Sequence, residues 1–384
     1  TLMYKGQRSD MGYVNGLLGR HPEDPRLRDS FAEAKKAGVE ISFVIEDFPP
    51  VRPNISRLNL ENTKGEQVEL YSDSTGGGTV RLMSFNGYDV DIVGDCYELI
   101  LLTSCGREGS EHVLEEALKL VGANEGTSVS AKEESGLVNI KTRTEHTEEF
   151  LEQLRNVEGV SEVKEIHPIL TVLSNRHADI PFASAEEMLA YGDETGKELW
   201  ELGVEYEMAR SGWSRQQVME YMEYVVDTME NSAKEGLKGE GDMSGIISPT
   251  SGKVEAYIKQ QPSALDMGVL NTVVPWSMAV MEYSSTMGKV LCAPTGGSAG
   301  VFPGAVLGTA NHMGLEKDAK VRAMFVTAVI GIVMSKDCNY SAELYGCQVE
   351  PGAASGMAAA GLVCLMVGTS EQMCMAASCA VQNI

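Results

Sequence analysis

The sequence predicts an α+β protein, with mixed secondary structure in its first part and helices in its second. Up to residue 166, many apolar residues fall in short runs separated by turn signals, which is typical of strands. From residue 185 onward, apolar residues recur at three- and four-residue spacing, which is typical of helices. A chain of 384 residues allows about two to three domains. We therefore expect an N-terminal mixed α/β domain, a ferredoxin-like module and a C-terminal, mostly α-helical domain.

The charge and the cysteine content of the chain restrict its partners and its location. The formal net charge of −24 argues against nucleic acid and anionic membranes as partners, because both select basic surfaces. The longest apolar runs, residues 323–334 and 353–368, are shorter than the roughly 20 residues of a membrane-spanning helix. No secretory signal is visible, and eight cysteines without one indicate a reducing compartment. We expect a cytoplasmic protein.

Residues 1–95 are predicted to form the α/β domain. In residues 24–38, Asp24 is placed to cap a helix, Pro25 suits its first turn and Gly38 suits its end. Strands are then predicted for residues 40–45, 55–59, 67–71, 79–85 and 88–93.

Residues 96–173 are predicted to form a second domain, and residues 174–184 a linker. The apolar runs and turn signals give a β-α-β-β-α-β order, which is that of ferredoxin-like folds. The predicted strands are residues 97–103, 127–131, 137–142 and 160–166, and the predicted helices are residues 111–121 and 147–157. This span resembles an ACT domain, a small regulatory module that often binds amino acids. A purely structural spacer is the alternative.

Two glycine-containing segments are candidate sites for a regulatory ligand. Gly76, Gly77 and Gly78 lie between two predicted strands, where successive backbone N–H groups can cradle a small anion. A plain tight turn is the alternative there. Gly106 and Arg107 lie in the turn after the first strand of the ACT-like module, where we expect a small amino acid to bind.

Residues 185–384 are predicted to form the helical domain. Its helices are predicted at residues 185–191, 197–210, 215–234, 263–287, 306–313, 319–334 and 353–367. The later helices are apolar on most sides, which is typical of helices at the centre of a domain. A glycine-rich crossing is expected over residues 236–252.

The first candidate site of this domain is the segment 293–300, with the sequence APTGGSAG. It is predicted to be a loop, because its proline and glycines break both helices and strands. A loop of this composition before a helix offers N–H and hydroxyl donors to a carboxylate, and we single out Thr295, Gly297 and Ser298. A simple connection between two helices is the alternative.

The second candidate site begins at Cys347, just before a predicted helix of small residues. A thiolate in that position suits an inorganic cofactor, since the unpaired N–H groups and the positive dipole end of the helix favour negative charge. Gln348 and Glu350 lie close enough in sequence to orient or polarise groups near a metal. Cys338 is a weaker candidate ligand. Cys96, Cys105, Cys364, Cys374 and Cys379 are expected to be core residues, since free cysteine is often buried and inert. The six scattered histidines are expected to be structural, since no pair of them has the spacing of metal ligands.

Three patches resemble, in the same order, the iron–sulfur-dependent L-serine dehydratases. The first is residues 17–54, which begin with LLG, with 74–78 (STGGG). The second is residues 281–289 with 293–300 (MEYSSTMGK and APTGGSAG), and the third is residues 346–352 with 356–360 (GCQVEPG and GMAAA). With the ACT-like module between them, the chain resembles a fused β–ACT–α enzyme that lacks both ends.

The resemblance implies an L-serine ammonia-lyase of amino-acid catabolism and gluconeogenesis, which converts L-serine to pyruvate and ammonia. It implies a 4Fe–4S cluster held by three cysteines, of which Cys347 is the first and the others follow beyond Asn383. An open iron would act as a Lewis acid on the substrate hydroxyl, while a base that the sequence does not identify removes the α-proton. The substrate contacts are expected from Thr295, Gly297, Ser298, Gln348 and Glu350. We also expect a homodimer.

The chain departs from the family pattern at three places, one of which is residues 342–345 (AELY), where the family has a more glycine-rich approach to the cysteine. The family's Gly-His-x-Thr-Asp segment is GQRSD here, so that Gln7 stands in place of the histidine. Ser284 stands where the family has asparagine. The altered segment favours an alternative function, that of a non-catalytic, amino-acid-binding regulatory paralogue. A related lyase that acts on threonine or cysteine is a third hypothesis.

Overall fold

The structure is a computed structural model that describes residues 3–46, 55–76, 79–169, 178–243, 245, 247–261, 266–336, 340, 346 and 348–383. Its secondary structure confirms the predicted α+β class. The chain divides into two compact units. Unit 1 comprises Thr1–Pro50, Gly196–Gly203 and Met219–Ile384, and unit 2 comprises Val51–Thr195 and Val204–Val218. The predicted domain boundaries stay predictions.

The N-terminal segment of unit 1 is helical. Its elements are α1 (Met3–Gly6), α2 (Ser9–Leu17), a 3-10 turn (Pro25–Asp29) and α3 (Ser30–Lys36). The predicted cap is confirmed, because the side chain of Asp24 accepts a hydrogen bond from the N–H of Arg26 at 2.9 Å. Gly38 follows α3 with a φ of +75°, as the predicted helix end requires.

The predicted strand over residues 40–45 is wrong, since those residues have no regular secondary structure. Phe43 lies instead in an aromatic cluster of unit 1, with its ring stacked on Tyr4 at a centroid distance of 5.3 Å. Tyr13 and Phe31 lie 6.5 Å and 6.3 Å from the same ring. Within this run, Phe43 therefore packs through its aromatic ring rather than through a strand ladder, whereas Val44 and Ile45 are exposed.

Unit 2 begins with an antiparallel sheet of four strands in sequential order. The strands are β1 (Ile55–Glu61), β2 (Gln67–Gly76), β3 (Thr79–Phe85) and β4 (Tyr88–Ile92). Asn86 and Gly87 connect β3 to β4, both with positive φ. That combination suits a two-residue hairpin turn, since its backbone twist matches that of the strands.

A second antiparallel sheet, with strand order β6-β7-β5-β8, completes the described strands of unit 2. The elements follow as β5 (Tyr97–Thr103), α4 (Arg107–Val121), β6 (Gly126–Ala131), β7 (Gly136–Thr142), α5 (Glu148–Arg155) and β8 (Val160–Ile166). Leu99 and Leu101 share one buried cluster with residues of α4 and α5. Ile100 belongs to a second cluster, with Phe85 and Val90 of the first sheet. The predicted β-α-β-β-α-β order is thus confirmed, and β5 is buried on both faces.

The remaining described helices make up most of the chain after residue 184. They are α6 (Ala185–Thr195), α7 (Leu199–Ser211), α8 (Arg215–Leu237), α9 (Ser251–Gln260), α10 (Leu270–Ser285), a π-helical segment (Phe302–Gly308), α11 (Thr309–His312), α12 (Lys317–Ser335), α13 (Val349–Leu365) and α14 (Ser370–Val381). Helix α9 lies next to the predicted glycine-rich crossing and was not predicted. Within the described ranges, no helix combines the length and apolar character that crossing a membrane requires.

Helix α13 packs against both α12 and α14 through small residues. A β-carbon at Gly361 would lie 2.7 Å from Cγ2 of Thr327 on α12. A β-carbon at Gly356 would lie 2.7 Å from Cγ2 of Val381 on α14. These glycines let the helices approach closely, and the packing fixes the position of the first turn of α13.

Candidate functional site

The loop of residues 293–300 is held in shape by two buried hydroxyl groups. Thr295 and Ser298 are 3% and 2% exposed. The Ser298 hydroxyl donates to the carbonyl of Ala293 at 2.9 Å and accepts from the N–H of Thr295 at 3.3 Å. The Thr295 hydroxyl lies 3.1 Å from the same Ser298 oxygen. Both hydroxyls therefore have partners inside the loop, and their contact with a substrate stays a prediction.

The tip of this loop presents backbone N–H groups to solvent. Gly296 and Gly297 are both exposed. Within the described part of the chain, neither glycine N–H has a hydrogen-bond partner. Two adjacent N–H groups on an exposed turn can donate hydrogen bonds to an anion. A carboxylate oxygen then replaces the water that otherwise solvates them.

Glu350, on the first turn of α13, lies directly against Gly297. A β-carbon at Gly297 would lie 1.9 Å from Oε2 of Glu350 and 2.8 Å from its Cδ. The glycine is therefore required for the carboxylate to take its present place. The structure brings together the 293–300 loop and Glu350, which the sequence predicted separately. Gln348 is exposed at the N-cap position of the same helix.

Cys292 adds a thiol at the start of the same loop. Although part of this residue is exposed, burial raises the pKa of its thiol, and the negative charge of Glu350 raises it further. The Glu350 carboxylate therefore raises the pKa of the Cys292 thiol and also lies against Gly297. Sequence reasoning missed Cys292. The sequence feature that could have identified it as a site residue is its position immediately before the Ala-Pro-Thr segment.

Glu282, near the end of α10, anchors the start of α9. Its carboxylate accepts hydrogen bonds from the N–H and hydroxyl of Thr250 at 2.8 Å and 3.0 Å. It also accepts from the hydroxyl of Ser251 at 2.5 Å and from its N–H at 3.1 Å. Burial alone would raise the pKa of Glu282, but the hydrogen bonds from Ser251 and Thr250 outweigh it and lower the pKa. The ionised carboxylate thus replaces a side-chain cap that α9 lacks.

A cavity of ≈ 490 Å³ lies between the N-terminal segment and the end of α10 in unit 1. It is lined by Lys5, Gly6, Gln7, Arg8, Met243, Ser284, Ser285 and Met287. Gln7 and Ser284 are two of the positions at which the sequence departs from the family pattern, and a third departure, residues 342–345, lies outside the described residues. The structure therefore brings the first two departures to one cavity, which sequence reasoning did not predict.

The predicted regulatory residues lie on separate elements of unit 2. Gly76 ends β2, whereas Gly77 and Gly78 lie outside the described residues. Gly106 is the N-cap of α4, and a β-carbon there would lie 2.5 Å from the carbonyl oxygen of Glu133. This side of the turn is thus filled by the β6–β7 connection.

Arg107, the first residue of α4, is open to solvent. Its side chain is 65% exposed, and its Nη1 lies 3.4 Å from Oε1 of Glu111 one helical turn later. An exposed pair of this kind contributes little to stability, so that Arg107 is available to a ligand. Regulatory binding at these positions stays a prediction.

The predicted metal ligand, Cys347, also lies outside the described residues, as does Cys338. Among the residues that are described, no group of three or more His, Cys, Asp or Glu side chains is close enough to hold a metal ion. Because the candidate ligand Cys347 lies outside this search, the 4Fe–4S cluster stays a prediction.

Comparison with known proteins identifies the helical part of the chain. Residues 194–384 match the sequence model of the family described as "Serine dehydratase alpha chain". This segment contains the 293–300 loop, Glu282, Glu350 and Cys347. The match therefore covers the candidate substrate site and the end of α10.

Several curated proteins are similar to this chain. "Probable L-serine dehydratase, alpha chain" of Bacillus subtilis is 28% identical over 203 residues, or 53% of this chain and 67% of the relative. "L-serine dehydratase 1" of Escherichia coli is 33% identical over 209 residues, or 53% of this chain and 45% of the relative. "Probable L-serine dehydratase, beta chain" of Bacillus subtilis is 27% identical over 166 residues, or 42% of this chain and 74% of the relative.

The chain thus spans less than half of the Escherichia coli relative and about two thirds of the Bacillus subtilis alpha chain. Its similarity includes both an alpha chain and a beta chain. Residues 194–384 are thus similar to the family described as "Serine dehydratase alpha chain".

Proposed function

We propose that this chain is part of an L-serine ammonia-lyase that converts L-serine to pyruvate and ammonia. The observation that carries the proposal is the position of Glu350 against Gly297, inside the segment that matches the family. The names of the similar proteins, all L-serine dehydratases, support the same reaction. The net reaction removes water from serine and then adds water to release ammonia.

The arrangement suits an amino acid with opposite charges at its two ends. The free N–H groups of Gly296 and Gly297 would bind the substrate carboxylate, and the nearby Glu350 would attract its ammonium group. Thr295 and Ser298 would fix the loop in this shape, and Gln348 would lie beside the bound substrate. We leave the base that removes the α-proton unassigned.

We further propose that the intact enzyme holds a 4Fe–4S cluster with Cys347 as one ligand. When bound, such a cluster supplies a Lewis acid that eases departure of the serine hydroxyl. In the sequence, Cys347 directly precedes Gln348, the N-cap residue of α13, and helix N-termini stabilise negative charge such as that of a thiolate. The raised pKa of the Cys292 thiol makes Cys292 a poorer ligand in comparison.

The test is performed on intact protein purified without oxygen. We expect it to release pyruvate from L-serine and to contain iron and sulfide. The variant Cys347→Ala should lose both metal and activity, whereas Cys379→Ala, which removes an exposed thiol of α14, should retain both. Unchanged iron and sulfide in Cys347→Ala would refute the ligand assignment. Parallel assays with L-threonine and L-cysteine decide between serine and the alternative substrates.

For residues 96–173 we propose a regulatory role, in which a small amino acid binds near Gly106 and Arg107. The β-α-β-β-α-β order and the exposed Arg107 support this proposal. The similarity to both an alpha and a beta chain supports a fused β–ACT–α organisation, and we expect a cytoplasmic homodimer. Arg107→Ala should weaken the binding or the effect of the amino acid on intact protein, and Arg155→Ala on α5 is the matched control.

A non-catalytic, amino-acid-binding protein is the second candidate function. The specific observation that favours it is Gln7, which lines the cavity at the position of the family's histidine. Intact protein that carries its cluster but releases neither pyruvate nor ammonia from serine, threonine or cysteine would establish this alternative. Restoring the histidine with Gln7→His would then be expected to produce measurable turnover.

A further inference from the structure

The cavity of unit 1 carries positive charge with no acidic residue in its lining. Lys5 is exposed and Arg8 is half-buried at its wall. In the described part of the chain, neither side chain forms an ion pair with an acidic group. The ring centre of Tyr4 lies 6.0 Å from the Lys5 Nζ. Two uncompensated cations beside one cavity are unusual in a chain with a net charge of −24.

Neutral hydrogen-bonding groups complete the lining. Gln7 contributes an amide, and Ser284 and Ser285 contribute hydroxyls. The Ser285 hydroxyl donates to the carbonyl of Met281 at 2.9 Å and is therefore already used. Within the described residues, the side chains of Gln7 and Ser284 have no such partner, so that both remain available to a ligand. The lining thus offers donors in excess of acceptors, which suits an anion.

The backbone around the cavity is strained at two positions. Arg8 and Met287 have φ values of +60° and +65°, in the left-handed region that residues other than glycine seldom adopt. Both side chains line the cavity. Such conformations cost free energy and tend to cluster at binding sites, where the surrounding structure holds a side chain in a required direction. The conformation at Arg8 is therefore consistent with a guanidinium held for a ligand.

We propose that this cavity binds a small organic dianion, namely a short-chain dicarboxylate. Two cations match two carboxylates, because a monoanion would leave one of them without a counter-charge. The volume of ≈ 490 Å³ lies within the range of small-molecule sites. The strongly acidic chain disfavours polyanions such as nucleic acid. This site is separate in its residues from the 293–300 loop, and the proposal does not depend on the dehydratase activity.

The test is calorimetric titration of the intact protein with succinate at low salt. Arg8→Gln should weaken succinate binding by about 10- to 150-fold, the range expected for losing a hydrogen bond to a charged group. Lys5→Gln should weaken it a few-fold, since Lys5 is exposed. Lys35→Gln removes the same charge from an exposed position on α3 and should leave binding unchanged. Acetate should bind at least about 10-fold more weakly than succinate.

Arg8→Gly and Ser284→Ala keep the proposal testable if Arg8→Gln fails to fold. Glycine accepts the positive φ of residue 8 without strain, so Arg8→Gly should fold and still lose succinate affinity. Absence of succinate binding at millimolar concentration would overturn the proposal, as would unchanged binding in Arg8→Gly. Equal or tighter binding of inorganic phosphate would overturn the dicarboxylate assignment and indicate an inorganic anion site instead.

Discussion

The carboxylate of Glu350 fills the space that a side chain at Gly297 would need. A β-carbon on Gly297 would lie 1.9 Å from Oε2 of Glu350, far inside van der Waals contact. Gly297 is exposed at the loop tip, whereas Glu350 starts the long helix α13. The contact therefore joins the two segments that were selected from the sequence for different reasons, one for its donors and one for its cysteine.

Gly297→Ala should displace Glu350 while preserving the fold. The carboxylate is the flexible end of its side chain and can swing away, and the φ of Gly297 is not in the left-handed region. We therefore expect a change in unfolding free energy within about 1 kcal/mol. If Glu350 contacts the substrate, kcat/KM for L-serine should fall about 10- to 150-fold.

Gly296→Ala is the matched control for this substitution. It adds the same methyl group to the neighbouring residue of the loop, where no other atom lies within 4 Å. We expect its stability to equal that of the unmodified protein and its kcat/KM to fall less than that of Gly297→Ala, because the N–H donor of residue 296 is retained and Glu350 is not displaced. Equal loss of activity in both variants would mean that loop flexibility matters rather than the place of Glu350.

Ser298→Ala should destabilise the 293–300 loop. It removes the hydroxyl that bonds to the carbonyl of Ala293 and the N–H of Thr295, leaving two buried backbone groups without this partner. The expected cost is about 1–3 kcal/mol of unfolding free energy, measured by chemical denaturation together with hydrogen exchange of the loop. Ser335→Ala, which removes an exposed hydroxyl bonded to the carbonyl of Ile332, should change stability by less than about 0.5 kcal/mol. Unchanged stability in Ser298→Ala would show that its hydroxyl is free to bind substrate.

Glu282→Gln should lower the free energy of unfolding at neutral pH. In acid, the difference between the variant and the unmodified protein should disappear. Because the pKa of Glu282 is lowered in the folded protein, its ionised form stabilises the fold above the unfolded pKa of about 4.3. That contribution disappears as the pH falls through the lower, folded pKa. We expect a loss of about 1.5–3 kcal/mol at pH 7 that shrinks progressively below about pH 4.

Thermal unfolding between pH 7 and pH 3.5 measures this difference. Glu240→Gln, at an exposed position, serves as the control and should follow the unmodified protein throughout. A constant difference between Glu282→Gln and the unmodified protein over the whole range would contradict the role given to the ionised carboxylate.

Cys364 should resist alkylation in the folded protein. Burial, with a further contribution from Glu198, raises the pKa of its thiol to about 11. At pH 8 its reactive thiolate is therefore about two orders of magnitude rarer than that of an ordinary cysteine. Mass spectrometry after iodoacetamide treatment should find the exposed Cys379 modified first, and Cys364 modified only in urea. Rapid modification of Cys364 without denaturant would contradict the burial.

Most helices and strands could be predicted from the sequence, because their signals are local. Asp24 caps its turn as its residue type predicts, and β5 is the strand that its apolar run indicates. Helix α9 escaped prediction since its N-terminus is stabilised by Glu282, from a distant part of the chain. The segment 40–45 was misassigned because aromatic packing around Phe43 replaced strand pairing.

The candidate site was predictable in its composition and not in its geometry. The donors of the 293–300 loop and the acidic Glu350 could be selected by residue type. Their contact could not, since it depends on the packing of α13 against α12 and α14. The geometry of the cavity was likewise not predictable, since Gln7 and Ser284 both line it although they are far apart in the sequence.

Unit 1 is assembled from both ends of the chain, with most of unit 2 between them. Lys289 illustrates this assembly, because it contacts Glu23 and lies 2.5 Å from the hydroxyl of Tyr224. During synthesis, unit 2 is complete once residue 218 has left the ribosome, whereas the N-terminal helices still lack their partners. Those helices must therefore wait for α8, α10 and the residues beyond, and the long loop that they close makes their docking slow. We expect Glu23 to remain without its partners Tyr224 and Lys289 until both have been synthesised, so that the N-terminal helices dock late in folding.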